Sequence, residues 1–125
     1  MTTVLVVDDD PDVCDLVIYK LRKSGYEVRS AADGDEALRA VATELPDLVL
    51  LDVMMPGPSG LEVLGRWRAA PETATLPVIL LTALAQESDV ETGFALGADD
   101  YILKPFSPRE LARRVAAVVA RSPVR

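Results

Sequence analysis

Four separate stretches of this sequence carry residues that could act together on a phosphoryl group. Asp8 and Asp9, Asp52, Thr82 and Lys104 each stand at or just past the end of a short, largely apolar run: VLVV, LVLL, PVILL and DYIL. Runs that short and that uniform suit strands buried on both faces better than amphipathic helices. In an open parallel sheet the C-terminal strand ends share one edge, where such folds place their chemistry. The spacing therefore predicts that these residues converge. Clustered carboxylates repel one another and coexist only beside a cation or with a raised pKa. The sequence has no histidine and one cysteine, and oxygen ligands alone suit Mg²⁺, which also binds phosphate oxygens. A carboxylate nucleophile beside a metal ion, a hydroxyl and an ammonium group is equipment for phosphoryl transfer, the cations offsetting charge on the transferred group. Each residue alone has a plainer reading: Asp8 to Asp10 as helix caps, Thr82 as a turn residue, Lys104 as a surface lysine. Their common position at strand ends is what points to chemistry.

The elements that must position them follow from pattern and punctuation. The central stretch is PDLVLLDVMMPGPSG, residues 46–60. Its strand stops at Asp52, because Pro56 and Pro58 lack N–H donors and Gly57 and Gly60 supply turn geometry. Before it, residues 4–7 predict a strand and Asp10-Pro11 a helix start, cap followed by first turn. Val13, Leu16, Val17 and Leu21 form that helix's apolar face, and Ser24-Gly25 ends it. Residues 26–31 alternate and predict an edge strand. Asp33 with Glu36 opens a helix burying Ala37, Leu38 and Val41. After the centre, Ser59 with Glu62 caps a helix to about Arg68, with Trp67 in packing. Residues 77–81 predict a strand ending at Thr82, residues 87–96 a weaker helix ended by Gly97, and residues 100–103 a last strand. Ser107-Pro108-Arg109-Glu110 starts a final helix running to about Arg121. Five strand–helix units in strict alternation predict an α/β fold, a parallel sheet with helices on both faces joined by right-handed crossovers.

Composition narrows the class. The 125 residues suit one domain, spanning 1–125, and one core. A net charge of −7 argues against direct nucleic-acid binding by this chain, which needs clustered Lys and Arg. Lone Cys14, among apolar residues of the first predicted helix, reads as a packing residue and fits a reducing compartment. No stretch approaches a membrane span and the first residues lack a signal-peptide pattern, so the expected location is the cytoplasm, with no membrane partner.

These motifs together resemble the receiver domain of bacterial two-component response regulators over essentially the whole chain. The matching residues are VLVVDDDPDV, DLVLLDVMMPGPSGLEVL, PVILLTA and GADDYILKPFSPRELARRV. The resemblance implies a flavodoxin-like, three-layer αβα sandwich with strand order 2-1-3-4-5 and five helices, in agreement with the alternation. It implies Asp52 as phosphoacceptor, taking a phosphoryl group from a histidine of a partner sensor histidine kinase. Asp8, Asp9, Asp52 and the backbone carbonyl of Met54 would hold Mg²⁺; Thr82 and Lys104 would bind phosphoryl oxygens. It further implies a cis peptide at Lys104-Pro105 and a switch in which Tyr101 turns inward as Thr82 moves. Such a module is no enzyme in the metabolic sense, catalysing only its own phosphorylation and dephosphorylation.

The last third is most similar to receivers with winged-helix DNA-binding output domains, which dimerise through the last strand and the last two helices. Asp100 and Arg114 match a salt-bridge pair there, with Asp99, Glu110 and Arg121 compatible. Val90 departs from that pattern, standing where a basic partner for Glu110 is usual, which implies one fewer cross-subunit pair. The expected output is therefore a phosphorylation-controlled homodimer and transcription through a domain outside this chain. The alternative is a stand-alone receiver, acting by protein contact or within a phosphorelay. A phosphatase of the haloacid dehalogenase type is disfavoured because Met54 occupies the place of its second aspartate. A dinucleotide-binding domain is disfavoured because no glycine-rich loop follows the first strand.

Overall fold

The computed structural model describes residues 1–121; the last four residues of the expected 1–125 domain lie outside the described residues. Five strands alternate with five helices: β1 (Thr3–Val7), α1 (Pro11–Lys23), β2 (Glu27–Ala31), α2 (Gly34–Thr43), β3 (Leu48–Asp52), α3 (Gly60–Ala69), β4 (Val78–Thr82), α4 (Glu87–Ala95), β5 (Asp100–Leu103) and α5 (Pro108–Arg121). All neighbouring strands are parallel, in the order β2-β1-β3-β4-β5. This is the flavodoxin-like arrangement that the receiver resemblance implies.

The pleat sorts side chains onto two cores. Leu5, Val7, Val49, Leu51, Val78 and Leu80 face a layer built from α2 and α3, where Trp67 is buried, with Val90 of α4 packed against it. Val4, Val6, Leu48, Leu50, Ile79, Leu81 and Ile102 face α1 and α5. Both faces of β3 are therefore dry, which is why its sequence is a continuous apolar run rather than an alternating one.

Side-chain caps fix the helix starts. Asp10 accepts from the Asp12 N–H, Asp33 from Glu36, Ser59 from Glu62 and Ser107 from Glu110. Three of these match capping-box patterns, but the glutamates do not complete the box at the cap residue's own N–H. Glu36 accepts instead from Ala32 N–H at 3.0 Å, and Glu62 and Glu110 pair with Arg66 and Arg114 one turn on. A guanidinium at i+4 competes successfully for an exposed carboxylate. By contrast α4 starts at Gln86 with no side-chain cap, as its weak sequence pattern suggested.

Strand limits differ by a residue or so from the sequence reading, for local reasons. β1 starts at Thr3, which pairs with Glu27 of β2 and donates its N–H to Asp47 Oδ2 at 2.8 Å. β2 starts after Tyr26, whose N–H closes the end of α1 on the Leu21 carbonyl. A link with no signal in the sequence pattern comes from Arg68: its guanidinium donates to the Gly97 carbonyl at 2.8 Å and the Leu76 carbonyl at 2.7 Å. It ties the end of α3 to the α4–β5 turn.

Leu50 is fully buried, whereas Leu45 is about half exposed. Leu50→Ala should therefore cost about 3–5 kcal/mol of unfolding free energy, and Leu45→Ala less than about 1 kcal/mol, by urea denaturation. Equal losses would contradict the two-sided burial of β3.

Candidate functional site

The C-terminal ends of β1, β3, β4 and β5 meet along one edge of the sheet, as the alternation predicts. Asp8 and Lys104 follow β1 and β5 and continue the parity of the α1–α5 face, the same parity as Asp52 at the end of β3. That shared parity sets the three side chains together. Lys104 Nζ lies 2.7 Å from Asp8 Oδ2 and 3.6 Å from Asp52 Oδ2.

Both carboxylates are almost sealed from solvent, Asp8 at 2 % and Asp52 at 4 % exposure. Backbone N–H groups take part of their charge: Asp10 donates to Asp8 Oδ1 at 2.9 Å and Met54 to Asp52 Oδ1 at 3.2 Å. Asp9 is exposed, yet a carboxylate oxygen of Asp8, Asp9 and Asp52 can be chosen so that all lie within 4.8 Å of one another. Burial, reinforced by Asp8 and opposed by Lys104, pushes the Asp52 carboxyl up to about 6. Burial also disfavours the Lys104 ammonium, but its bond to Asp8 and the charge of Asp52 outweigh that and raise its pKa.

Three carboxylates against one ammonium leave the cluster short of positive charge. Every side-chain donor in the carboxylate set is a hard oxygen, without imidazole or thiolate. That donor set fits a hard divalent cation such as Mg²⁺. Cys14, half-buried in α1, donates its thiol to the Asp8 carbonyl at 3.3 Å. Burial and the charges of Asp8, Asp15 and Asp10 push the thiol up to about 11, so it stays protonated and adds no thiolate.

Thr82 is fully buried and its pleat parity is that of the α2–α3 face, so it approaches from the other side. Its Oγ1 accepts from the Leu84 N–H at 3.2 Å, and the Leu84 carbonyl accepts from Tyr101 Oη at 2.8 Å. The backbone of Leu84 thus bridges Thr82 and Tyr101. Sequence reasoning missed this bridge, since any residue could supply those two backbone groups. Tyr101 is buried, 6.4 Å centroid to centroid from Phe94 of α4, and burial with the charge of Asp89 raises its phenol.

The loop after Asp52 folds back tightly. The Gly60 N–H donates to the Val53 carbonyl at 2.9 Å, and a β-carbon at Gly60 would collide with the Asp52 carbonyl oxygen. Only glycine fits there. Met54 on this loop turns its side chain outward, at 60 % exposure. The Lys104–Pro105 peptide is cis.

The residues matched to an interface sit elsewhere, along β5 and α5. Arg114 binds Asp100 Oδ1 at 2.9 Å and Glu110 Oε2 at 3.3 Å within the single chain. Asp99 Oδ2 accepts from the Val78 N–H at 2.8 Å and pairs with Arg68 at 3.3 Å. Arg121 donates to the Asp99 carbonyl at 3.3 Å. Among the described residues, no helix is long and apolar enough to cross a membrane.

With this geometry in place, the comparisons are specific. Residues 4–116 match the family model for the response regulator receiver domain. The chain is 47 % identical over 121 residues to the alkaline phosphatase synthesis transcriptional regulatory protein PhoP of Bacillus subtilis, covering 97 % of this chain and 50 % of that protein. It is 46 % identical over 119 residues to the phosphate regulon transcriptional regulatory protein PhoB of Rhizobium meliloti, covering 95 % of this chain and 52 % of that one. The chain thus spans about half the length of these relatives. Among solved structures, the receiver domain of the Francisella response regulator 1452 superposes with a TM-score of 0.91 at 36 % identity, covering 97 % of this chain and 98 % of that one. The chemotaxis protein CheY4 of Vibrio cholerae gives 0.89 at 34 % identity, covering 94 % and 98 %.

The raised carboxyl of Asp52 yields a stability prediction in metal-free buffer. The folded chain holds the extra proton between about pH 3.8, the group's ordinary value, and about pH 6. The stability linked to that proton is present below this window and is lost as pH rises through it. Asp52→Asn should therefore be more stable than the native chain by roughly 2–3 kcal/mol at pH 7.5, the gain shrinking towards pH 4. Urea titrations across that range check it; a gain that does not shrink would remove buried charge as the cause.

Proposed function

Since this chain belongs to the response regulator receiver family, we propose that its phosphorylation-activated switch is built on Asp52 as phosphoacceptor. The observation that carries the reading is the pair of buried carboxylates at one sheet edge with a half-buried ammonium between them: Lys104 Nζ placed 2.7 Å from Asp8 and 3.6 Å from Asp52. A carboxylate oxygen of Asp52 attacks the phosphorus of a phosphohistidine on a sensor histidine kinase. The N–P bond breaks, its electron pair stays on the imidazole, and an acyl phosphate forms on Asp52. With its carboxyl near 6, Asp52 is mostly ionised at neutral pH and available as nucleophile. Lys104 stands ready to leave Asp52 and pair with a phosphoryl oxygen. Asp8, Asp9, Asp52 and the Met54 carbonyl would hold Mg²⁺, which supplies charge neutralisation on the transferred group.

Thr82 would then turn its hydroxyl towards a phosphoryl oxygen, giving up the Leu84 N–H. Because Leu84 also holds Tyr101, that movement reaches the α4–β5–α5 face, where Phe94, Leu96 and Leu103 are exposed. We infer that this face controls homodimerisation, with Asp99, Asp100, Glu110, Arg114 and Arg121 around it exchanging some internal bonds for cross-subunit ones. The names of PhoP and PhoB support an output in transcription, through a domain outside these residues. A cytoplasmic location suits that role.

Incubation with a small-molecule phosphodonor and Mg²⁺ should add one phosphoryl group by intact mass. The gain should vanish with chelator and in Asp52→Asn, and size-exclusion chromatography of the phosphorylated sample should show a dimer. Labelling that survives in the variant would move the phosphoacceptor elsewhere. Met54 and Leu84, two residues past Asp52 and Thr82, offer no strong hydrogen bond to a hydrolytic water. The acyl phosphate should accordingly persist well beyond seconds in the purified protein; decay within seconds would remove that argument.

A further inference from the structure

The loop that follows Asp52 is held between two close backbone approaches made by different elements. On its inner side Gly60 lies against the Asp52 carbonyl. On its outer side stands Gly34, the buried first residue of α2. A β-carbon at Gly34 would lie 2.6 Å from the Pro58 carbonyl oxygen, 3.0 Å from Pro58 Cγ and 3.0 Å from Val63 Cγ2. The shortest of these contacts is to backbone, which cannot rotate aside as a flexible side chain can. The neighbouring Asp35 brings Oδ2 to 3.7 Å from the β-carbon position of Gly57 on the same loop.

The start of α2 is in turn anchored and cannot simply withdraw. Asp33 accepts from the Glu36 N–H at 2.8 Å, and Glu36 Oε2 accepts from the Ala32 N–H at 3.0 Å. One residue earlier, the Ala31 carbonyl accepts from the Asp8 N–H at 3.2 Å. The β2–α2 connection therefore touches both acidic arms, bonding the backbone of Asp8 at one end and pressing on the Asp52 loop at the other.

We propose that Gly34 is a positioning residue for the phosphoacceptor site: lacking a side chain, it lets α2 press on Pro58 and fix the loop that carries Met54 beside Asp52. The proposal rests on Asp52 being the phosphoacceptor and on the acidic cluster holding Mg²⁺. Outer supports of a metal site, though they never touch the metal, tune its affinity by holding the ligands in place. A methyl group at position 34 drives the loop outward, and small displacements at such a site carry large losses.

The test measures Mg²⁺ affinity by calorimetry and phosphorylation rate with a small phosphodonor, on the whole 125-residue chain, well below the unfolding midpoint. Gly34→Ala should weaken Mg²⁺ binding and slow phosphorylation, each roughly tenfold, with far-UV circular dichroism unchanged. Gly65→Ala is the control: nothing lies within 4 Å of its β-carbon position in α3, so both readouts should stay at the native values. A purely structural role for Gly34 would lower the midpoint and leave the affinity alone. Should Gly34→Ala not fold, Pro58→Gly loosens the same contact from the loop side without adding volume, and the same losses are expected. Native Mg²⁺ affinity in folded Gly34→Ala, or in Pro58→Gly if the first does not fold, overturns the proposal. A native chain that binds no Mg²⁺ and takes up no phosphoryl group overturns the phosphoacceptor reading itself, and this proposal with it.

Discussion

Two carboxylates buried side by side, with a single ammonium between them, set the terms for the rest of this molecule. Removing charge from water is costly unless it is paired and hydrogen-bonded, and Asp8 and Asp52 share one Lys104. The sheet order makes the conflict unavoidable, because β1 and β3 are neighbours, Asp8 directly follows β1 and Asp52 ends β3. Lys104 arrives from β5, two strands beyond β3, by the length of its side chain. The remaining demand falls on backbone N–H groups and on the carboxyl of Asp52, whose raised pKa registers what is left unsatisfied. A site in that condition is receptive to added positive charge and to a group that replaces the carboxylate–ammonium pairing, which is the condition that a phosphorylation switch requires.

The two sides of the sheet then divide the labour. Residues sharing the parity of the α1–α5 face form the charged cluster, while Thr82 and Tyr101 belong to the opposite face with α4. The Leu84 backbone is the physical link between them, bonded to Thr82 through its N–H and to Tyr101 through its carbonyl. α4 lies over that link with few anchors: it has no side-chain cap, and Gly93 is its one buried residue among those described. Elements that move in switching come from the lightly anchored part of a fold. The opposite end of the same region is firmly tied, because Arg68 clamps the turn between α4 and β5.

Much of this was legible in the sequence. Short apolar runs broken by proline, glycine and aspartate marked every strand to within a residue or so, and four side-chain caps marked helix starts correctly. The same runs ended on Asp8, Asp52, Thr82 and Lys104, so the convergence of those residues followed from the parallel topology. The reciprocal half of the capping boxes did not form, because Glu62 and Glu110 found arginines at i+4 and Glu36 found the Ala32 N–H. The clamp made by Arg68 and the bridge made by Leu84 left no trace in pattern, since both depend on backbone carbonyls and N–H groups that every residue carries.

By itself, then, the sequence determined the alternation of elements, the parity of each strand residue and the set of groups presented at one edge. These are local properties, written in the period of apolar residues and in the stereochemistry of caps and turns. Only the tertiary structure decided that Lys104 sits closer to Asp8 than to Asp52. It also decided that Asp100 and Arg114 pair within one chain, and that Gly34 and Gly60 close on the loop that follows Asp52. Each depends on distances between residues far apart in the chain, fixed by how two packed layers settle against the sheet, and no local pattern encodes such a distance.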